Sequence, residues 1–435
     1  MNFAGDLDLG AVADIPQCEF WAAGDGFDTV YSCIEATSIA HTMGRPLVAA
    51  EAFTTGGDAG IKHYPGMMKN QTDWAFAIGI NQIIFHTFQH QPMGPEYKPG
   101  MAMGVHGVHW HRNQTFWPMV SEYHHYIRRC SHLLSQGTVV ADILYLTPEG
   151  APQVFVPPAS AIEGTGPLRD QKGYRFDGVS PNILINHAKV VDGKIAFPAG
   201  TAYQMLVLPD CPTMTPELLA KIKELVRAGA TVVGAPPMQS PSLSDYPACD
   251  SRVKALAAEL WGGLKVPAAI TERPFGQGRI IWGQAVAKSS SNPAEQGTDL
   301  YPDYAITADL LKQKGVPQDF TASGPVRFIH RQTEELDIYF ISNRSDKAID
   351  VEGSFRVQST RPELWHPVTG QSRPLPNFTI HEKTVSIPLR FEAYESCFVI
   401  FPRGSKADLT PDTAKSNFPA QSLVAAIKGP WEVSF

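Results

Sequence analysis

The first 136 residues repeat one rhythm three times: a short apolar run, then a stretch of helical periodicity. The runs fall at 15–21, 46–53 and 82–88, and helices are expected near 28–43, 67–80 and 116–136. Short strands alternating with helices predict βαβ units around a parallel sheet. Each run ends on polar or ionisable groups: Glu19 and Trp21, then Glu51, then His86, Gln89 and His90. In a (β/α)₈ barrel the active site is built at these C-terminal strand ends. Three units cannot close a barrel of eight strands, so the pattern predicts the C-terminal part of a TIM barrel over 1–136, with further strands preceding Met1. The loop 92–111 is long and rich in Gly, Met and His, a loop type that is functional or mobile.

From 137 to 320 the pattern predicts a second α/β domain, flavodoxin- or amidotransferase-like. Residues 139–146 and 204–209 read as buried strands, and 157–181 as loop. The next helix is well punctuated, with Thr215 as cap, Pro216 in the first turn and Gly229 as terminator. Leu218, Leu219, Ile222, Leu225 and Val226 follow helical spacing. A Gly-Gln-Gly turn stands at 276–278. From 321 to 403 short strand-like runs recur between turn signals, the pattern of an antiparallel β-sandwich. Residues 404–435 read as a polar linker ending in the first strand of a further β domain.

Composition narrows the function. Charged residues are 18% of the chain, the net charge is −7, and no basic run occurs, which argues against nucleic acid. The six cysteines form no CxxC pair and read as buried small hydrophobes. No apolar run is long enough to span a membrane, and the first residues lack the basic and apolar regions of a signal peptide. There is no GxSxG elbow, no P-loop and no GxGxxG.

Glu51 is the leading catalytic candidate, because a carboxylate at the end of an apolar strand needs a solvated or paired site. The structural alternative is an ion pair with Arg45. Glu19 could bind substrate hydroxyls, ligate a metal or form an ion pair, and Trp21 could stack on a sugar or belong to the core. His86, His90, His106, His109 and His111 cluster around the third strand and its loop. Zinc would need three or four converging ligands, so hydrogen bonding of His86, Gln89, His90 and His109 to sugar hydroxyls fits better. Trp110 adds aromatic surface. Cys211 has no base nearby in sequence.

The segments Cys33-Ile34-Glu35-Ala36-Thr37-Ser38, Ala49-Ala50-Glu51-Ala52-Phe53-Thr54, Phe85-His86-Thr87-Phe88-Gln89-His90-Gln91-Pro92, Gly107-Val108-His109-Trp110-His111 and Pro362-Glu363-Leu364-Trp365-His366-Pro367 resemble glycoside hydrolase family 106. The resemblance implies an exported, inverting α-L-rhamnosidase acting on rhamnose-containing polysaccharides or glycosides, with calcium at its site. It implies that Glu51 is the general base and that the general acid lies on an earlier strand, so that this chain alone is inactive. The competing expectation is a non-catalytic carbohydrate-binding or scaffold protein.

Overall fold

In the computed structural model of the protein, the described residues are 5–22, 30–57, 59–104, 106–151, 153–286, 300–357, 361–404, 411–419 and 422–432. The three expected strands form: β1 (Gln17–Trp21), β2 (Ala49–Thr54) and β3 (Gln82–Phe85), parallel and in that order. One face of this sheet carries Cys18, Phe20, Ala50 and Ala52, all buried. It packs on the helices Val30–Met43 and Pro65–Ile78, where Phe20 meets the edge of Trp74 at 5.8 Å. The start of the first helix, expected from residue 28, lies outside the described residues. The third expected helix runs Val120–Leu134, and Pro118 sits in a separate 3₁₀ turn, Trp117–Met119, before it.

The Val30–Met43 helix buries a carboxyl. Glu35 Oε1 accepts the Phe155 N–H at 2.5 Å, and burial, opposed by that bond and reinforced by Asp6, pushes its pKa up to about 8. An acid whose folded pKa exceeds its unfolded value holds a proton that the unfolded chain has released. Stability therefore falls as pH rises from about 4.5 to 8. Glu35→Gln should flatten this slope and raise stability at pH 8 by a few kcal/mol, with little change at pH 4. Urea unfolding at the two pH values checks it. An unchanged slope would remove Glu35 as its source.

A six-stranded sheet follows, in the order Thr271–Phe275, Gly278–Trp282, Thr231–Val233, Met205–Val207, Ile143–Leu146, Phe176–Val179. All neighbours are parallel except the first hairpin. The capped helix is Pro216–Ala228: Thr215 Oγ1 accepts the Leu218 N–H, Gly229 ends the helix at φ 128°, and all five spaced apolar residues are buried.

Two expectations fail in this region. The strand expected over 139–146 is two strands: Thr138–Val139 pairs with Arg331 and Gln332 in another sheet, and only Ile143–Leu146 joins this one. Between them Asp142 meets Arg356 at 3.0 Å, and no single straight strand serves both sheets. Phe176–Val179, expected as loop, is the edge strand. Its polar Asp177 is buried by partners distant in sequence, and a Cβ on Gly178 would lie 2.4 Å from the Phe155 ring.

Residues 320–402 form two antiparallel sheets. One contains Phe320–Ala322, Ile349–Phe355, Val385–Phe391 and Thr379–Ile380. The other contains Ser372–Pro374, Glu363–Trp365, Ser396–Pro402, Leu336–Asn343, Val326–Gln332 and Thr138–Val139. They enclose a core of Phe328, Tyr339, Phe355, Val385 and Phe401. The outer face of the second sheet joins a larger core through Ile338, Phe340, Phe398 and Ile400, and Phe76 meets Phe340 at 5.8 Å. That core is continuous from Leu7 to Ile400, so it crosses the boundary expected at 136/137. Residues 422–432 form no strand and leave Leu423, Val424, Ile427 and Trp431 exposed; the rest of the expected terminal strand lies outside the described residues. Among the described residues no helix is long and apolar enough to cross a membrane.

Candidate active site

Parallel register aligns Glu19 with Glu51 and Glu51 with Ile84. All three side chains lie on the sheet face opposite the helices, since side chains alternate along each strand. That face is open, and Ile84 is 41% exposed.

A bulge at the end of β2 completes the group. Phe20 pairs with Ala52, but Trp21 pairs with Thr54, so Phe53 is skipped. Phe53 takes φ 66°, a left-handed conformation that a bulky residue adopts only when its surroundings hold it there. Its fully buried ring does so, against Phe20 at 5.1 Å and Phe85 at 5.8 Å. The extra residue reverses the alternation and brings Thr54 onto the face of Glu51. The Thr54 hydroxyl lies 3.4 Å from Glu19 Oε1 and 3.5 Å from Glu51 Oε1. Glu19 Oε1 also accepts the Trp21 indole N–H at 2.5 Å. Gln71 donates its amide to the Trp21 carbonyl and fixes the strand end.

The long loop folds back over β3. Val108 N–H donates to the His86 carbonyl at 2.6 Å, and Gly107 N–H to Thr55 at 2.8 Å. Gly107 has φ 100°, and a Cβ there would sit 3.2 Å from the His86 carbonyl oxygen, so this close approach requires glycine. His86 Nε2 stands 3.9 Å from Glu51 Oε1 and 3.2 Å from Met103 Sδ, and its Nδ1 is buried without a partner. His106 meets the Trp21 ring at 5.6 Å. The alternative ion pair of Glu51 with Arg45 does not form; Arg45 Nε is buried and unpartnered.

The structure thus groups Glu19, Trp21, Glu51 and His86. It separates the others. Trp110 is 2% exposed, stacks on Phe85 at 4.3 Å and donates its indole N–H to His124 at 3.0 Å, so its ring packs the loop and presents no open surface. His109 is half-buried beside His111 at 5.6 Å, and burial lowers both pKa values. His90 is exposed and Gln89 half-buried, and no side-chain hydrogen bond joins either to Glu51 among the described residues. Thr54 and Met103 were not found by sequence reasoning. A polar residue three places beyond Glu51 is visible in the chain, but the bulge that turns it is not.

Among the described residues no three His, Cys, Asp or Glu side chains gather as a metal site requires. Calcium takes about six to eight oxygens, and Glu19 with Glu51 supply too few. These residues do not fit a complete calcium site, and no step is drawn through one. The cysteines are free, and all but Cys211 are buried.

Comparison with known proteins places this arrangement. The chain is 34% identical over 404 residues to a protein of Formosa agariphila named "Putative beta-glucuronidase", covering 92% of this chain and 30% of that protein. A rhamnosidase structure from Novosphingobium sp. PP1Y superposes with a TM-score of 0.76 at 27% identity, over 93% of this chain and 36% of that one. A GH42 β-galactosidase from G. stearothermophilus shares the fold at a TM-score of 0.53 and 12% identity, over 92% of this chain and 63% of that one. The chain therefore spans about a third of the length of its first two relatives. The family model for α-L-rhamnosidases, glycoside hydrolase family 106, matches residues 1–380, and the chain belongs to that family.

Proposed function

We propose that this chain carries the base-bearing part of an inverting glycosidase site that removes terminal α-L-rhamnose from polysaccharides or glycosides. The observation that supports this best is the pair Glu19 and Glu51, side by side on an open sheet face and linked through Thr54. In this reading β1–β3 belong to a (β/α)₈ barrel and the two antiparallel sheets are a β-sandwich. Glu51 takes the proton from a water that attacks the anomeric carbon. A general acid on the opposite face, about 6.5–9.5 Å away, protonates the leaving oxygen. Glu19 already accepts two donors through one oxygen, so it suits orienting Glu51 and a sugar hydroxyl better than donating a proton. The acid is proposed to come from polypeptide other than these 435 residues, which leaves this chain alone with little activity.

The Formosa agariphila relative's name supports a second sugar, a β-glucuronide. The test is sugar release from methyl α-L-rhamnoside and methyl β-D-glucuronide, whose poor leaving groups require the acid, with added calcium and with chelator. It compares this chain with a polypeptide extended to relative length. Rhamnose release by the extended form alone supports the proposal. Full activity of this chain by itself would overturn the division of the site, and glucuronide cleavage alone would overturn the sugar.

A further inference from the structure

A cavity of 370 Å³ lies away from Glu51, walled by the end of the Pro65–Ile78 helix, residues 163–175 and the strands Phe320–Ala322 and Val326–Gln332. Three guanidinium groups line it, Arg175, Arg327 and Arg344, against two carboxylates, Glu163 and Asp170. The carboxylates are engaged. Asp170 receives Arg327 Nε and Arg344 Nη1, each at 3.1 Å, and Glu163 receives Arg344 Nη1 at 3.1 Å. Arg175 is the remaining charge. Its nitrogens donate to the carbonyls of Phe328 at 3.0 Å and Ile78 at 3.2 Å, and no ion pair reaches it among the described residues. It is only 5% exposed. Burial draws its pKa down to about 10, and attraction from Asp177, Asp170 and Asp319 offsets only part of that.

A buried cation with no carboxylate in contact is unfavourable, and a guanidinium recognises carboxylate and phosphate oxygens through paired N–H groups. We propose that this cavity binds a small oxyanion at Arg175, either the carboxylate of an acidic sugar unit or free inorganic phosphate. The space exceeds that needed by a bare ion and falls in the usual ligand range of about 300–1,000 Å³, which favours the sugar. Gln318, also on the wall, offers an amide to its hydroxyls. The proposal is independent of the role given to Glu51.

The test is titration calorimetry of the whole chain at low ionic strength with D-glucuronate, D-glucose and phosphate. Glucuronate should bind one to one, and glucose, which lacks the charge, about tenfold or more weaker. Arg175→Met should weaken glucuronate by a similar factor. Because Arg175 also holds two backbone carbonyls, Thr321→Glu provides a second variant. Thr321 is exposed on the cavity wall, and an added carboxylate there repels the anion without touching Arg175. Glu51→Gln should leave this binding unchanged, which separates it from the candidate active site. Saturable phosphate binding without glucuronate binding, lost in both cavity variants, would identify free oxyanion as the occupant. No saturable binding of either anion, or an unchanged affinity in folded Thr321→Glu, would overturn the proposal.

Discussion

Glu51→Gln, made in the extended polypeptide, is expected to lower kcat by about 10²–10⁴-fold with KM little changed. Glutamine keeps the shape of the side chain and an oxygen that Thr54 can still approach, so the sheet end should hold its geometry. It cannot accept a proton from the attacking water. With p-nitrophenyl α-L-rhamnoside the leaving group needs little acid assistance, so this substrate isolates the base. Steady-state rates for the wild type and the variant decide the matter. An unchanged kcat would move the base elsewhere, with His86, 3.9 Å from Glu51, next to be examined. A rise in KM at constant kcat would make Glu51 a binding group only.

Asp177→Ala is expected to destabilise the fold by about 3–5 kcal/mol, the usual range for removing one partner of a buried charged network. Asp177 lies on the edge strand Phe176–Val179, with His41 Nδ1 at 2.9 Å, the Tyr203 hydroxyl at 2.8 Å and the Ser38 hydroxyl at 3.3 Å. It ties the Val30–Met43 helix, which backs β1, to the six-stranded sheet. Burial alone would raise its pKa. The His41 ring and the Tyr203 hydroxyl outweigh burial and hold it below the ordinary carboxylate value of 3.8. A depressed folded pKa contributes stability that is complete above the unfolded value and is lost as pH falls through the folded one. The wild type should therefore lose stability below about pH 4, and the variant should show a shallower acid slope. Urea unfolding followed by tryptophan fluorescence at pH 7 and in the acid range checks both. A loss under 1 kcal/mol would show that the network holds little.

The first part of the candidate site was legible because it rests on local alternation. Glu19, Glu51 and His86 close apolar runs, and a polar group that ends such a run must emerge at the strand's end. The helix at 216–228 was legible for the same reason: cap, first-turn proline, apolar spacing and terminal glycine all lie within one short segment. The strand 336–343 could be read from the apolar run at its centre, 338–341, because both of its faces are buried, one in each core.

What the chain pattern did not contain was anything that depends on partners far away. The strand at 176–179 carries Asp177 and Gly178, poor strand residues in isolation; a histidine 136 positions earlier and the close approach of Phe155 make them suitable. The split at Asp142 follows from Arg356, and the Phe53 bulge follows from two aromatic rings on neighbouring strands. Trp110 looked like open aromatic surface until Phe85 and His124 enclosed it. By itself the sequence determined the strand–helix order of residues 1–136, the residues at the strand ends and the family, because periodicity, punctuation and motif are local properties. Tertiary structure alone decided which of those residues meet, which way Thr54 turns and which charges remain uncompensated, because register, bulges and burial are settled by contacts between distant segments.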